Sequence, residues 1–480
     1  MDPRIALEIL KEHTFLTVGC TDPIAVALAA AHAFRAVGGE PREIRVRMDK
    51  NVYKDAIDVG IPGTGRRGIG LAAALGVLWG DPEGGLALLR NVDEKTILRA
   101  EEFISAHPVT LELEPEAKEI YVRAVVRTDR GVGEATLRRA HDRLSEIRVD
   151  GRVVYSEEAT GRGHREGEDG GTAGKPEERT PETEEKNKDE NGAGETAGEA
   201  HEGSRREGSF APPSPLSALR DATMEELFET VAALPAKEID FLIQGVEINR
   251  RAASLGALKG PGLGLGMKLN GLVVSGLLAN DLKERIRSAV AAAADARMAG
   301  ENVPIYGCFG SGNHGITLFL TLGLAAEDQC SSREELARAL ALALLVVGVI
   351  KCRTGILTPH CGCAVAAGSG AAAGLVLLLG GTPKQAENAV QLMTANLTGM
   401  LCDGAKYGCA LKISTSAGVA LESAYLAVYA EAALPGGNGL VGRTLEESME
   451  NLQTITEVGM AQVDRAVLEI LLARTRRGCP

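Results

Sequence analysis

Aromatic side chains are scarce in this chain: one Trp, seven Tyr and eight Phe among 480 residues. A core without bulky plugs has to be filled by helices touching through small residues, and the 58 glycines and long alanine runs are suited to that. A basic surface is lacking too. The net charge is −13, and residues 156–208 alone hold 16 Asp/Glu against 8 Lys/Arg, so the remainder is only mildly acidic. Without a basic stripe the chain is a poor nucleic-acid binder. It opens on a charged amphipathic segment, MDPRIALEILKEH, and not on the apolar stretch of a secretory signal. The long uncharged run 364–381 is rich in Gly, Ala and Ser and adjoins cysteines, which marks it as a buried helix and not a membrane span. These absences predict a cytoplasmic protein with no nucleic-acid and no membrane partner, and they leave a homodimer open.

The length predicts two or three domains. The expected fold class is α+β: a mixed α/β N-terminal domain with an antiparallel sheet over 1–155, then a compact all-helical domain over 211–480. Between them, 156–210 is low-complexity Glu/Gly/Lys/Thr with almost nothing to bury, and reads as a disordered acidic insertion or linker. A helix is expected from about 22 to 38, with Asp22 as its cap and Pro23 in its first turn. Residues 43–49 alternate as a strand, and the glycine-rich GIPGTGRRGIG leads into the helix LAAALGVLWG. Over 109–156 the period falls to two, with Asp150-Gly151 as a tight hairpin turn. From about 214 onward the pattern is helical, punctuated by glycine loops.

Nine cysteines, odd in number and clustered, argue for metal or catalysis over a disulfide framework. Five lie between 352 and 409, in KCRTGILTPHCGC and MLCDGAKYGC. Their spacing suits neither a zinc ribbon nor a ferredoxin run. A three-cysteine [4Fe–4S] site remains, made of Cys402, Cys409 and either Cys361 or Cys363, against the alternative of small core thiols. Cys20, in VGCTDP before a helix, sits where a dipole and amide donors would lower its pKa, which suggests a base or nucleophile; the plain alternative is a buried loop residue. Two stretches match G-x-G-x-x-G, beginning at Gly63 and Gly310, but neither sits in a βαβ unit, so a dinucleotide fold is not expected. Glycine loops at helix starts still receive anions such as an amino-acid carboxylate. The donors offered are Thr21, Gly63, Thr64, Ser311, Asn313 and His314, with Arg297 as a bidentate carboxylate binder and Lys406 beside the thiols. The competing view makes Arg297 and Asp295 a helix-end ion pair.

The segments VGCTDPIAVALAAA, PGTGRRGIGLAAALG, DARMAGENVPIYGCFGSGNHGI, ILTPHCGCAVAAGSGAAAG and GMLCDGAKYGCALKISTS, in this order, resemble the L-cysteine desulfidase family, which is related to the α-chain of iron–sulfur L-serine dehydratases. The resemblance runs from about residue 12 to 474, interrupted by the acidic insertion. It implies one [4Fe–4S] cluster per chain, held by Cys361, Cys402 and Cys409, and makes Cys20 the base. It implies a lyase that takes a small amino-acid substrate, L-cysteine, to pyruvate, ammonia and sulfide by α,β-elimination, without PLP. His360 before the ligand and Cys479 near the end depart from the family pattern. Two rivals follow: a dehydratase of L-serine or another β-substituted amino acid, and a non-catalytic iron–sulfur or redox-sensing protein.

Overall fold

A computed structural model describes residues 1–117, 119–157 and 215–476. Most of the acidic segment set apart at 156–210, and Cys479, lie outside the described residues.

The first part is built on one sheet. Its strands are β2 (Pro41–Met48), β5 (Val109–Leu113), β6 (Tyr121–Thr128), β7 (Val132–Arg138), β8 (Leu144–Val149) and β9 (Arg152–Ser156), in the order β5-β2-β6-β7-β8-β9, while β3 (Gly60–Ile61) and β4 (Arg66–Arg67) pair separately with each other. The sheet is mixed and not purely antiparallel, because β2 and β5 run parallel. That pairing follows from the helices Ile69–Trp79 and Glu94–Ala106, which carry the chain back across the sheet between those strands. Strand β2 alternates as expected. Ile44, Val46 and Met48 are fully buried, while Arg47 on the other face pairs with Glu112 of β5 at 2.8 Å. Asp150 and Gly151 both have positive φ in the β8–β9 hairpin, as a two-residue primed turn requires.

Helix Thr21–Val37 packs on this sheet and against helix Ile69–Trp79. Its Ala25, Ala27, Ala29 and Ala30 are buried, and a Cβ at Gly76 would stand 2.1 Å from the Ala27 carbonyl. The scarcity of aromatics is thus matched by backbones in near contact.

The second part is helical except at one place. Strand β10 (Pro304–Cys308) pairs antiparallel with β1 (Thr14–Val18), two segments for which sequence gave only loop. Both are short, and although TFLTV is rich in β-formers its partner lies nearly 300 residues away, so no hairpin pattern marks the pair in sequence. The pairing ties the two parts together directly beneath Cys20. Two helices also escaped the periodicity reading, Lys50–Ala56 and Leu265–Val274. No helix among the described residues is long and apolar enough to cross a membrane.

Candidate active site

A cleft lies where the two parts meet. The first part supplies Cys20, Thr21, Asp22, Asn51, Lys54 and Asp55; the second supplies Arg297, Ser311, Asn313, His314 and Lys351 with the thiols Cys361, Cys363, Cys402 and Cys409.

Backbone pairing sets the thiols in place. Cys361 N–H donates to the Met400 carbonyl and Cys402 N–H to the Pro359 carbonyl, each at 2.7 Å, as His360 and Leu401 form an antiparallel bridge. Cys409 begins the helix Cys409–Tyr429, with its Sγ 3.5 Å from Lys406 N. Cys363 sits 3.9 Å from Ser311 Oγ. None of these thiols is in a disulfide. Burial pushes the thiols of Cys402 and Cys409 up to about 12, with Asp55 adding to the first and Cys361 to the second. Cys361 is raised by its hydrogen bond with Cys363 and by burial.

Cations face these thiols. Lys351 is buried at the end of the helix Arg333–Thr354 and donates to the Ile356 carbonyl at 2.8 Å, with no carboxylate partner among the described residues. Burial brings its ammonium down to about 8, against the pull of Cys363, Cys402 and Cys361. A Cβ on Gly362 would come within 2.7 Å of Lys351 Nζ and 2.9 Å of His314 Nε2, so the C-G-C turn lies flat on both. His360 is fully buried. Its Nδ1 meets Thr456 Oγ1 at 3.0 Å, and since that hydroxyl donates to Leu452, the imidazole N–H is on Nδ1 and the unpartnered Nε2 is a lone-pair acceptor. Burial, then Lys351 and His314, hold His360 neutral, down to about 3.

These features fit an iron–sulfur group: thiols that burial and their neighbours keep protonated, beside cations that would compensate thiolates. Among the described residues no three His, Cys, Asp or Glu side chains close around a single ion. A cluster binds each thiolate on a different iron, so its ligands need not converge on one point.

Cys20 corrects the expectation of a low pKa. It occupies the N-cap of helix Thr21–Val37, which sequence assigned to Asp22, but caps nothing with its side chain. Burial raises its thiol well above the ordinary range; Arg297 opposes this, and Asp22 and Asp55 add to it. Desolvation outweighs the helix dipole because the cap is closed off from water. Its Sγ meets Asp22 Oδ2 at 3.4 Å, while Asp22 Oδ1 meets His141 Nε2 at 3.0 Å. His141 comes from the turn between β7 and β8, a stretch that sequence made continuous strand. Burial depresses His141, but the charge and hydrogen bond of Asp22, with Asp55 and Asp49, outweigh it, and its pKa is raised.

Arg297 is buried and makes no ion pair among the described residues. The helix-end pair with Asp295 does not form, because Asp295 Oδ2 accepts Gly266 N–H at 2.9 Å instead. Arg297 Nε donates to the Gly19 carbonyl at 3.0 Å, and a Cβ on Gly312 would lie 2.4 Å from that nitrogen. Asn313 Oδ1 is buried without a partner, its Nδ2 being spent on Met298 Sδ at 3.7 Å. Asn313 is therefore an acceptor here, where sequence made it a donor. His314 Nδ1 meets the Cys308 carbonyl at 3.3 Å, and burial with Lys351 holds the ring neutral.

Three expected binding residues do not line the cleft. Gly63 and Thr64 form a turn against residues 300–302, with Gly63 N–H on the Gly300 carbonyl and Thr64 Oγ1 on the Ile61 carbonyl at 2.8 Å. The loop is short of free donors because its own turn consumes them. Lys406 points out of the cleft, with Nζ on the Lys54 carbonyl at 2.8 Å. Conversely Lys54, Asp55, Asn51, Lys351 and His141 were not singled out. Lys351 carried a signal, a cation in the last turn of a long apolar helix, shared with Arg353; the others lie in segments with no motif.

Residues 157–469 match the family model of the serine dehydratase alpha chain. The chain is similar over nearly all of its length to UPF0597 proteins. That of Clostridioides difficile (strain 630) is 34% identical over 97% of this chain and 98% of its own. That of Caldanaerobacter subterraneus subsp. tengcongensis is 33% identical over 98% and 99%. That of Methanocella arvoryzae is 34% identical over 98% and 99%. The chain belongs to the serine dehydratase alpha chain family.

Proposed function

We propose that the chain is an iron–sulfur lyase that eliminates the β-substituent of a small α-amino acid, with L-cysteine as substrate and pyruvate, ammonia and sulfide as products. The observation that carries this is one cleft holding the buried thiol of Cys361 with the half-buried thiols of Cys402 and Cys409 and, facing them, a buried guanidinium with no carboxylate partner among the described residues. Cys361, Cys402 and Cys409 would hold a [4Fe–4S] cluster. With three protein ligands, such a group supplies a Lewis-acidic iron that eases loss of the β-substituent.

The remaining work falls to side chains. Arg297 takes the α-carboxylate through the edge of its guanidinium not used on Gly19. Asn313 Oδ1 accepts from the α-ammonium, which satisfies an otherwise orphaned buried acceptor. Cys20 takes the α-proton. Because it rests as a thiol, it must first give its own proton away, and Asp22 Oδ2 is the acceptor in reach. His141 fixes the other oxygen of Asp22 and so the direction of that carboxylate. The released enamine tautomerises and hydrolyses in water.

The family match to a serine dehydratase alpha chain favours a second reading in which L-serine is the substrate. Both reactions use the same carboxylate and ammonium contacts. Parallel assays of sulfide from L-cysteine and pyruvate from L-serine, on anaerobically iron-loaded protein, separate the two. Failure on both substrates, with iron bound, overturns the lyase proposal.

A further inference from the structure

The loop between Cys402 and Cys409 belongs to the second part of the chain but is held by the first. Ala405 N–H donates to Asp55 Oδ1 at 3.1 Å, and Lys406 Nζ to the Lys54 carbonyl at 2.8 Å. Gly404 lies so close to that carbonyl that a Cβ would stand 2.1 Å from it. The other side of the contact is anchored as well. Lys54 Nζ pairs with Asp464 at 2.7 Å and Lys50 Nζ with the same carboxylate at 2.6 Å, so helix Lys50–Ala56 is wedged between the loop and the helix Ala461–Arg476.

The loop has little support of its own. Residues 402–408 form neither helix nor strand. Asp55 is buried, with its charged form disfavoured by burial and by Asp22, while Lys54 and Lys406 ease it. A buried carboxylate is costly unless its bonds are needed, and this one accepts the central amide of the loop.

We propose that Asp55 is a positioning residue: it pins Ala405 and thereby holds the loop that runs from Cys402 to Cys409, so that a sulfur site whose Cys361–Cys402 pairing the backbone rung sets is completed by the first part of the chain. Its bearing on cofactor retention rests on the reading of these thiols as ligands; the pinning itself does not.

Asp55→Ala removes the acceptor, and Asp55→Asn keeps an acceptor oxygen without the charge. The metal-free chain is pulsed anaerobically with iodoacetamide and each cysteine followed by peptide mass spectrometry. In Asp55→Ala, Cys402 and Cys409 should alkylate about tenfold faster, as loss of one buried hydrogen bond implies. Cys330 and Cys352 should be unchanged, and Asp55→Asn should stay near wild type. Lys406→Met, which cuts the second tie without touching a buried charge, should accelerate the same two cysteines. Iron-loaded Asp55→Ala should surrender iron to a chelator faster by a similar factor. Unchanged alkylation of Cys402 and Cys409 overturns the proposal, as does acceleration shared by Cys352 or an Asp55→Asn variant as fast as Asp55→Ala. Should Asp55→Ala fail to fold, Asp55→Asn and Lys406→Met decide. If wild type takes up no iron while the alkylation contrast holds, the cofactor reading fails and the pinning stands.

Discussion

Cys361 and Cys402, 41 positions apart, lie diagonally on either side of the single antiparallel rung between His360 and Leu401, Cys361 donating its amide to the Met400 carbonyl and Cys402 to the Pro359 carbonyl, each at 2.7 Å. Their closeness is imposed by backbone and survives loss of either side chain. Replacing Cys361, Cys402 or Cys409 by Ala should therefore leave a folded chain that binds no stable iron–sulfur group. Cys363→Ala and Cys352→Ala should keep the visible absorption of the loaded protein. Iron analysis with far-UV circular dichroism checks both halves of that statement, and a Cys363→Ala protein without iron would reverse the assignment.

Arg297 is poised by Gly312, whose missing Cβ leaves room for Nε. Arg297→Lys keeps the charge but loses the planar fork, so kcat/KM should fall about 10- to 100-fold, the worth of a hydrogen bond to a charged group. Gly312→Ala should act the same way through displacement of the guanidinium. Steady-state kinetics with both variants test this; an unchanged KM in both would remove Arg297 from carboxylate binding.

The cleft was partly legible in sequence. Cysteine spacing, the helix start at Cys20 and the helix-opening loop at Ser311 named one wall each, and the amphipathic strands of the sheet announced themselves by period. What sequence could not show were groups delivered by long-range packing. His141 reaches Asp22 from a turn, Asp55 reaches Ala405 across 350 positions, and β1 finds its partner β10 only in the fold. Thr64 failed in the opposite sense, since a hydroxyl in a glycine loop looks free until its own turn is seen to consume it. The pKa of Cys20 went wrong because the helix start is local information and desolvation is not.

His141 is a pH-dependent contributor to stability. Its pKa is raised in the folded chain by Asp22, so its contribution is present in full below the ordinary imidazole value of about 6.5 and is lost as pH climbs through the raised folded value. The stability gap between wild type and His141→Gln in urea should accordingly be widest on the acid side and close toward alkaline pH. A gap that widens with rising pH would contradict the pairing.

Asp464 neutralises two lysines, one of them almost fully buried. Asp464→Asn leaves the Lys54 ammonium buried and unpaired, so the chain should lose about 3–5 kcal/mol of stability. Lys54→Met with Asp464→Leu, which removes both charges, should recover most of it. Denaturant titration of the three proteins checks the order.

The central claim is that this chain is an iron–sulfur lyase built on Cys361, Cys402 and Cys409. The most direct test is to load the wild-type protein and Cys361→Ala anaerobically with iron and sulfide, then to measure bound iron and product from L-cysteine and L-serine in the same samples. The expected result is a brown wild-type protein with about four irons per chain that releases pyruvate, with sulfide when L-cysteine is supplied, beside a colourless and inactive variant. A wild-type chain that stays colourless, or a Cys361→Ala chain that turns over at the wild-type rate, would contradict it.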